Sequence, residues 1–277
     1  MRRRIPRAAA VLPLGLALVA CAGGSRGSGG DPTSSAPLIW IAPRNVVGAI
    51  RSDAYVRHQL RDGQLIEIVL PGQRPVPNVP AEAALSLKSL PDIRAAFAGG
   101  LISRWIQAVI YDNEDWPATP YQERLRPIHF ERKVARLVAR HHLMFISSPA
   151  LDLARELPST AGSLWRRYLH TGWMRGTARL AVVVEVPAQS YENHPPVYAR
   201  FVRAAAIQAR SANPDVKVIA GLTSTRGAPS SLTADLTRCV RLTAGDVQGY
   251  FLNVPQPPLA AAVLRAATRS PATAAPR

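Results

Sequence analysis

The stretch "IQAVIYDNEDWPATPYQERLRPIHFERKVARLVARHHLMFISS", residues 106–148, contains two apolar runs separated by a helical pattern. The runs at its ends, 106–112 and 143–148, have the length and composition of buried strands. Between them, 127–142 repeats apolar residues at helical spacing, and Pro127 suits the first turn of a helix. A strand, a helix and a second strand in succession predict parallel strands joined by a crossover helix.

The same alternation continues through most of the chain. Helical periodicity recurs at 195–214 and 230–242. Five further apolar runs predict strands, at 38–42, 65–70, 179–186, 216–222 and 247–254. Seven strands alternating with helices predict an α/β fold, a (β/α) TIM-type barrel forming a single domain over 38–268. An eighth strand is not evident, so the barrel is either incomplete or contains a strand that the pattern does not reveal. A doubly wound open sheet is the alternative, although no G-x-G-x-x-G motif follows a strand.

The N-terminus has the order of a targeting segment. Arginines at positions 2–4 and 7 precede an apolar stretch, 8–20, that is too short to span a bilayer. The sequence Leu18-Val19-Ala20-Cys21 resembles the lipobox of bacterial lipoproteins. The resemblance implies a signal peptide at 1–20, a lipid on Cys21 and a location on the extracytoplasmic face of the cell membrane. An ordinary secretory signal, cleaved at the A-x-A-like site 20–22, and a retained membrane anchor stay open as alternatives.

Composition limits the partners that the protein can have. The Gly, Ser and Pro content of 21–37 predicts a flexible tether, and the tail 269–277 is expected to be disordered. The chain has 34 Lys and Arg against 18 Asp and Glu, a formal charge of +16. The arginines are scattered rather than gathered on one element, which argues against nucleic acid and favours an anionic membrane surface or wall polymer. We expect a monomer that contacts membrane lipid through Cys21.

An acidic cluster follows the predicted strand 106–112. Barrel enzymes carry their active sites at the C-terminal ends of the strands. Asp112 and Glu114 are two residues apart, so in extended chain they face the same way. Neighbouring carboxylates push each other's pKa values apart, and one of them then stays protonated near neutral pH. Glu185 interrupts the apolar run 179–186 and is the third candidate, so Asp112, Glu114 and Glu185 are the predicted catalytic residues.

The segment "YDNEDW", 111–116, resembles the chitinase-like branch of the barrel glycoside hydrolases, in which a strand ends in Asp-x-Glu followed by an aromatic residue. The resemblance implies that Glu114 is the general acid and that Asp112 helps to orient a substrate acetamido group. The family has further acidic positions upstream in this strand, where this chain has Ala108 and Ile110. The barrel and a sugar-like ligand are therefore the firmest part of what the resemblance implies.

Other polar residues near strand ends are candidates for substrate binding. Trp116 offers a flat face to a sugar ring, and Arg44 offers a guanidinium to an anionic group. The full set of predicted binding residues is Arg44, Trp116, Tyr191, His194 and Asn253. His194 is the one histidine near the predicted mouth, and with scattered acids it forms no zinc signature, so no metal or cofactor is expected.

Two functions from different classes follow. The first is a membrane-tethered glycoside hydrolase acting on a cell-surface or environmental glycan. The second is a non-catalytic lipoprotein that binds a glycan or an anionic wall polymer. The second gains if Asp112 and Glu114 only hold a loop together, or if Glu185 forms a structural ion pair.

Overall fold

Eight parallel strands close into a barrel in the computed structural model, which describes residues 37–158, 162–224 and 229–269, with the backbone alone for 229–231 and 269. The strands are β1 Ile39–Pro43, β2 Gln64–Val69, β3 Glu82–Leu87, β4 Ile106–Tyr111, β5 Met144–Ser147, β6 Val183–Val186, β7 Lys217–Thr223 and β8 Gly249–Asn253. Each strand pairs with the next, and β8 pairs with β1. The predicted barrel is confirmed, and the closed sheet rules out the doubly wound alternative.

Helices cover the outside of the barrel. They are α1 Arg44–Ile50, α2 Ala54–Asp62, α3 Leu90–Ala98, α4 Tyr121–Leu125, α5 Pro127–Arg140, α6 Leu164–His170, α7 Trp173–Ala178, α8 Pro195–Ala212, α9 Pro229–Thr243 and α10 Pro257–Arg269. Short 3-10 helices lie at Leu151–Arg155 and Gln189–Tyr191. Several starts follow local chemistry: Asp53 and Ser89 cap α2 and α3 with side-chain oxygens, and prolines occupy the first turns of α5 and α8.

The strand that the sequence pattern did not reveal is β3, with the sequence EAALSL. Alanine, serine and glutamate are poor strand formers, so this segment lacks the β-branched signature of its neighbours. Its Ala83, Ala84 and Leu85 are nevertheless fully buried between β2 and β4. The barrel is therefore complete, and the run ending before Asp112 is its fourth strand instead of its third.

Alternation along the strands divides the core into two parts. Outward residues such as Trp40, Tyr250 and Leu222 pack beneath the helices. Inward residues fill the barrel; they are Ile39, Ile41, Ile66, Ala84, Ala108, Ile110, Ile146, Val183 and Ile219. The next inward position toward the C-terminal end of several strands is polar, which turns that end of the barrel into a hydrophilic mouth.

Several predictions concern residues outside those described. The signal peptide, Cys21 and nearly all of the tether lie before residue 37, and the predicted tail lies outside from residue 270 onward. Cys239, the other cysteine, lies in α9 and is fully buried. Among the described residues, no helix has the length and apolarity that a membrane span requires.

Candidate active site

A cavity of about 440 Å³ opens at the C-terminal end of the barrel. Its polar lining residues are Ser86, Asp112, Glu114, Ser148, Asp152, Arg155, Glu185, Gln189, Ser190, Thr223 and Asn253, and its apolar lining includes Ile41, Ile68, Ile110, Trp116 and Phe251. The three predicted catalytic residues thus share one cavity. Asp112 and Glu114 come from the segment that follows β4, and Glu185 comes from β6.

The backbone after β4 points Asp112 and Glu114 into this cavity. The Asp112 amide donates to the Leu87 carbonyl at 3.0 Å, which continues the β3–β4 ladder by one residue. Extended chain then sends alternate side chains to opposite sides. Asn113 is accordingly buried away from the cavity, where its amide donates to the Tyr111 hydroxyl at 3.2 Å and to the Glu123 carbonyl at 3.1 Å.

Helix α4 holds the acidic loop in place. The Glu123 carboxylate is buried and accepts hydrogen bonds from the Tyr111 hydroxyl and from the Leu90 amide, the latter at 2.9 Å. The next residue, Arg124, forms an ion pair with Asp115. Glu123 and Arg124 therefore fix both flanks of the Asp112–Glu114 segment, a degree of order that suits chemistry more than a mobile surface turn.

Glu114 is held as an acid. Its pKa is raised to about 8 by burial, by the charge of Asp112 and by the interaction of the two carboxyl groups. The charges of Asp152 and Glu185 act in the same direction. Burial also raises the pKa of Asp112, while bonds from Glu114 and from Ser86 Oγ at 3.3 Å and the charge of Lys88 oppose the rise. Both carboxyl groups are therefore harder to ionise than free ones, and the ionisation of each depends on the other.

Glu185 is fixed from two sides. Ser148 Oγ donates to its Oε2 at 2.8 Å, and Gln189 Nε2 donates to its Oε1 at 2.8 Å. Burial raises the pKa of Glu185 to about 7, and the charge of Asp112 adds to the rise. No arginine forms a salt bridge with Glu185 or with Asp112 and Glu114 among the residues that the structure describes. The three carboxyl groups are thus not consumed by structural ion pairs.

The lining residues missed by the sequence reasoning include Asp152, Ser86 and Arg155. Asp152 lies in the 3-10 helix that follows β5, and its Oδ1 accepts a hydrogen bond from the Asp115 amide at 3.4 Å. Ser86 lies on β3, the strand that the pattern did not reveal. Asp152 was available as a signal, because it is an acid four residues after a strand end in a chain with few acids.

The predicted binding residues divide into two groups. Trp116 and Asn253 line the cavity, and Lys88 places its Nζ 3.5 Å from the centre of the Trp116 ring. Arg44 lies outside the lining and pairs with the buried Glu67 at 3.2 Å. Tyr191 also lies outside it, where its hydroxyl accepts from the Trp165 amide at 3.2 Å. His194 is exposed at the residue before α8.

No group of three or more His, Cys, Asp or Glu side chains in the described ranges is arranged to hold a metal ion.

Comparisons with known proteins agree with the fold. No family model and no curated protein matches this chain. Among solved structures, a curdlan-specific exo-β-1,3-glucanase of family GH128 from Blastomyces gilchristii matches with 12% identity and a TM-score of 0.50. The match covers 84% of this chain and 97% of that chain. The spore cortex-lytic enzyme SleL of Bacillus megaterium matches with 11% identity and a TM-score of 0.45. The match covers 85% of this chain and 75% of that chain. Triosephosphate isomerase from Bartonella henselae matches with 11% identity and a TM-score of 0.43. The match covers 84% of this chain and 99% of that chain. At such identities the likeness concerns the barrel fold, which hosts many activities.

Proposed function

We propose that this protein is a glycoside hydrolase that acts on a cell-surface or environmental glycan while a lipid on Cys21 tethers it to the extracytoplasmic face of the membrane. The observation that carries the enzymatic part is that Asp112, Glu114 and Glu185 line one open cavity, in which burial raises the pKa of Glu114 to about 8. Glycosidic bond cleavage needs such an acid near neutral pH to protonate the leaving oxygen. The tether rests on the lipobox resemblance alone.

Asp112 and Glu114 follow the same strand two residues apart and both line the cavity, so they lie on the same side of the barrel mouth. We assign Asp112 a supporting role beside Glu114. Its role is to position Glu114 and to contact the substrate, in keeping with the acetamido-orienting role that the chitinase-like resemblance implies.

Glu185 is the second carboxyl group of the proposed reaction. It lies on β6, two strands from β4, and shares the cavity with Glu114. In its ionised form it stabilises positive charge at the sugar carbon or activates a water molecule. Its donors, Ser148 and Gln189, favour that ionised form and hold the carboxylate in one orientation.

The cavity also suits a sugar in size and lining. Its volume of about 440 Å³ falls within the range of small-molecule sites, about 300–1,000 Å³. Trp116 and Phe251 supply apolar faces, and the polar rim supplies donors and acceptors for hydroxyl groups. The Blastomyces gilchristii glucanase is described as curdlan-specific, which makes β-1,3-glucan a first substrate to test, beside the acetamido sugars that the chitinase-like resemblance implies.

The test is turnover of three glycans, β-1,3-glucan, chito-oligosaccharides and peptidoglycan, by the wild type and by Glu114→Gln. We expect the variant to lose about 10²–10⁴-fold in rate, the usual contribution of a general acid. Glu82→Gln is the matched control, because Glu82 accepts from Gln64 at the opposite end of the barrel and an amide oxygen still accepts there. Unchanged turnover in Glu114→Gln would contradict the assignment.

An activated substrate sharpens this test. A nitrophenyl glycoside has a leaving group that needs little protonation, so Glu114→Gln should lose far less rate on it than on the natural glycan. Equal losses on both substrates would indicate that Glu114 maintains the structure instead of donating a proton.

The second candidate is a lipoprotein that binds a glycan or an anionic wall polymer without cleaving it. Lys88 at the Trp116 face and Arg155 at the rim favour it, because both place positive charge where an anionic polymer would enter. This function predicts binding without product and a marked weakening of binding by salt. Salt-insensitive binding, or product release, would exclude it.

A further inference from the structure

The four cations Arg94, Lys133, Arg136 and Arg140 line a surface groove of about 350 Å³ between α3 and α5. Leu90 and Leu137 complete its lining, so this "basic groove" contains no carboxylate. It lies among the helices on the outside of the barrel, and none of its residues lines the catalytic cavity. The basic groove is therefore a feature that the proposed hydrolase reaction does not use.

Few acids accompany these cations. Helices α3 and α5 contain only Asp92 and Glu131, and Glu131 is buried beneath α5, where it accepts from Ser147 Oγ at 3.0 Å. None of the four cations forms a salt bridge to a carboxylate within the described part of the chain. Lys133 instead lies 4.9 Å from the Phe130 ring centre, and Arg136 Nε donates to the Arg132 carbonyl at 3.2 Å. Their charge is thus available to an external anion.

The positive field extends along the outer face of α5. Arg126 and Arg132 are exposed beside Arg136 and Arg140, and from Arg126 to Arg140 the row spans about 20 Å at the helical rise. The exposed His129 responds to this field. Desolvation and the charges of Lys133, Arg126, Arg132 and Arg136 lower the pKa of its imidazole. A whole helix face, and not one residue, presents positive charge.

We propose that the basic groove and the outer face of α5 dock on an anionic phospholipid surface. Charge complementarity carries this choice of partner, since each Lys or Arg near a negatively charged leaflet contributes to attraction. A row of cations along one straight outer helix meets a plane at several points at once, which suits a membrane better than a small anion. This proposal requires neither glycan cleavage nor lipidation of Cys21.

Docking through α5 sets the orientation of the enzyme. The outer helices of a (β/α) barrel run alongside the strands, so contact along α5 places the barrel axis roughly parallel to the membrane. The cavity then opens sideways along the surface. Glycan chains that extend from neighbouring positions on the same membrane would reach the mouth without passing beneath the protein.

The test is partitioning of the full chain onto phosphatidylcholine vesicles with and without phosphatidylglycerol, at low salt. The variant carries Arg94, Lys133, Arg136 and Arg140 changed to Gln. Comparing the two vesicle types within each protein removes any contribution of the apolar N-terminal stretch. We expect the gain in partitioning that phosphatidylglycerol confers to fall by at least about 100-fold in the variant, since each cation contributes about 5-fold.

A second variant tests whether binding depends on the location of the four cations or only on the net charge of the protein. It changes Arg61, Arg200, Arg238 and Arg241 to Gln, which removes the same four charges from exposed positions on α2, α8 and α9. We expect it to bind like the wild type. Equal losses in both variants would overturn the proposal, because total charge would then explain binding. Binding to long-chain polyphosphate with no preference for anionic vesicles would also overturn it, in favour of a linear polymer partner.

Discussion

A Cβ atom placed on Gly221 would lie 2.6 Å from Glu185 Oε1, well inside van der Waals contact, and would also overlap the side-chain amide of Gln189. Gly221 lies on β7, beside the strand that carries Glu185. The missing side chain leaves the space in which Gln189 donates to Glu185 at 2.8 Å. One glycine thus determines how a cavity carboxylate is held.

Gly221→Ala is expected to displace Gln189 and to break its bond to Glu185. Glu185 then loses a donor that favours its charged form, so its pKa should rise further above about 7. We expect turnover to fall by about 10-fold, with a smaller loss of stability because the displaced group is the end of a flexible side chain. Gly48→Ala on α1, where a Cβ meets nothing within 4 Å, is the control and should leave turnover unchanged. Wild-type activity in Gly221→Ala would contradict this role.

The pH profile of turnover should be a narrow bell. The proposed reaction needs Glu185 ionised and Glu114 protonated, and their pKa values are raised to about 7 and about 8. The rate should therefore rise as pH increases through about 7 and decline as pH passes about 8. Glu185→Gln should remove the acid limb from any residual activity. Because the carboxyl groups interact, the two limbs belong to the cluster as a whole. A rate that stays constant between pH 5 and pH 10 would exclude both roles.

The strand–helix alternation was sufficient to predict the barrel, because buried parallel strands leave strong apolar runs such as 179–186. The exception was β3, whose Ala83, Ala84 and Ser86 give no β-branched signal. Alanine and serine are weak strand formers, so the pattern by which strands are recognised is missing from β3 although Ala83 and Ala84 are buried.

The cavity residues could be predicted where the position of a residue along a strand determines the direction of its side chain. Two-residue spacing placed Asp112 and Glu114 together, and Glu185 stood out as a charge within an apolar run. Asp152 follows a strand end in the sequence, but its place in the cavity also depends on the 3-10 helix after β5, which the sequence pattern did not predict. The Arg44–Glu67 pair was hidden for a similar reason, since it joins residues 23 positions apart on neighbouring elements.

Tyr111→Phe tests whether the acidic loop depends on its anchor. The Tyr111 hydroxyl donates to Glu123 and accepts from Asn113, and all three residues are buried. Removing the hydroxyl leaves a buried carboxylate and a buried amide each short of a partner, at a cost of about 1–3 kcal/mol in the free energy of unfolding. We expect a lower midpoint in denaturant and a reduced rate, because the loop carries Glu114. The Tyr55→Phe control removes an exposed hydroxyl bond to Thr268 and should change both quantities little.

The last prediction concerns Glu131, which is fully buried away from the cavity. Burial raises its pKa to about 7, against the opposing influence of Thr177 and Ser147; Ser147 donates to Glu131, and Thr177 donates to Ser147. The folded protein therefore keeps a proton that the unfolded chain, with a value near 4.5, releases. The corresponding stability is present below pH 4.5 and is lost as pH rises through about 7. A difference of this size corresponds to about 3 kcal/mol.

Glu131→Gln should remove this part of the pH dependence, because the amide stays neutral at every pH. Denaturant unfolding at pH 5 and at pH 8 measures it: the free energy of unfolding should fall more steeply between these values in the wild type than in the variant. Glu114 and Glu185 act with the same sign and are present in both proteins, so the difference in slope reports Glu131 alone. Glu82→Gln controls for the change to an amide and should keep the wild-type slope. Identical slopes in Glu131→Gln and wild type would mean that Glu131 is ionised in the folded barrel.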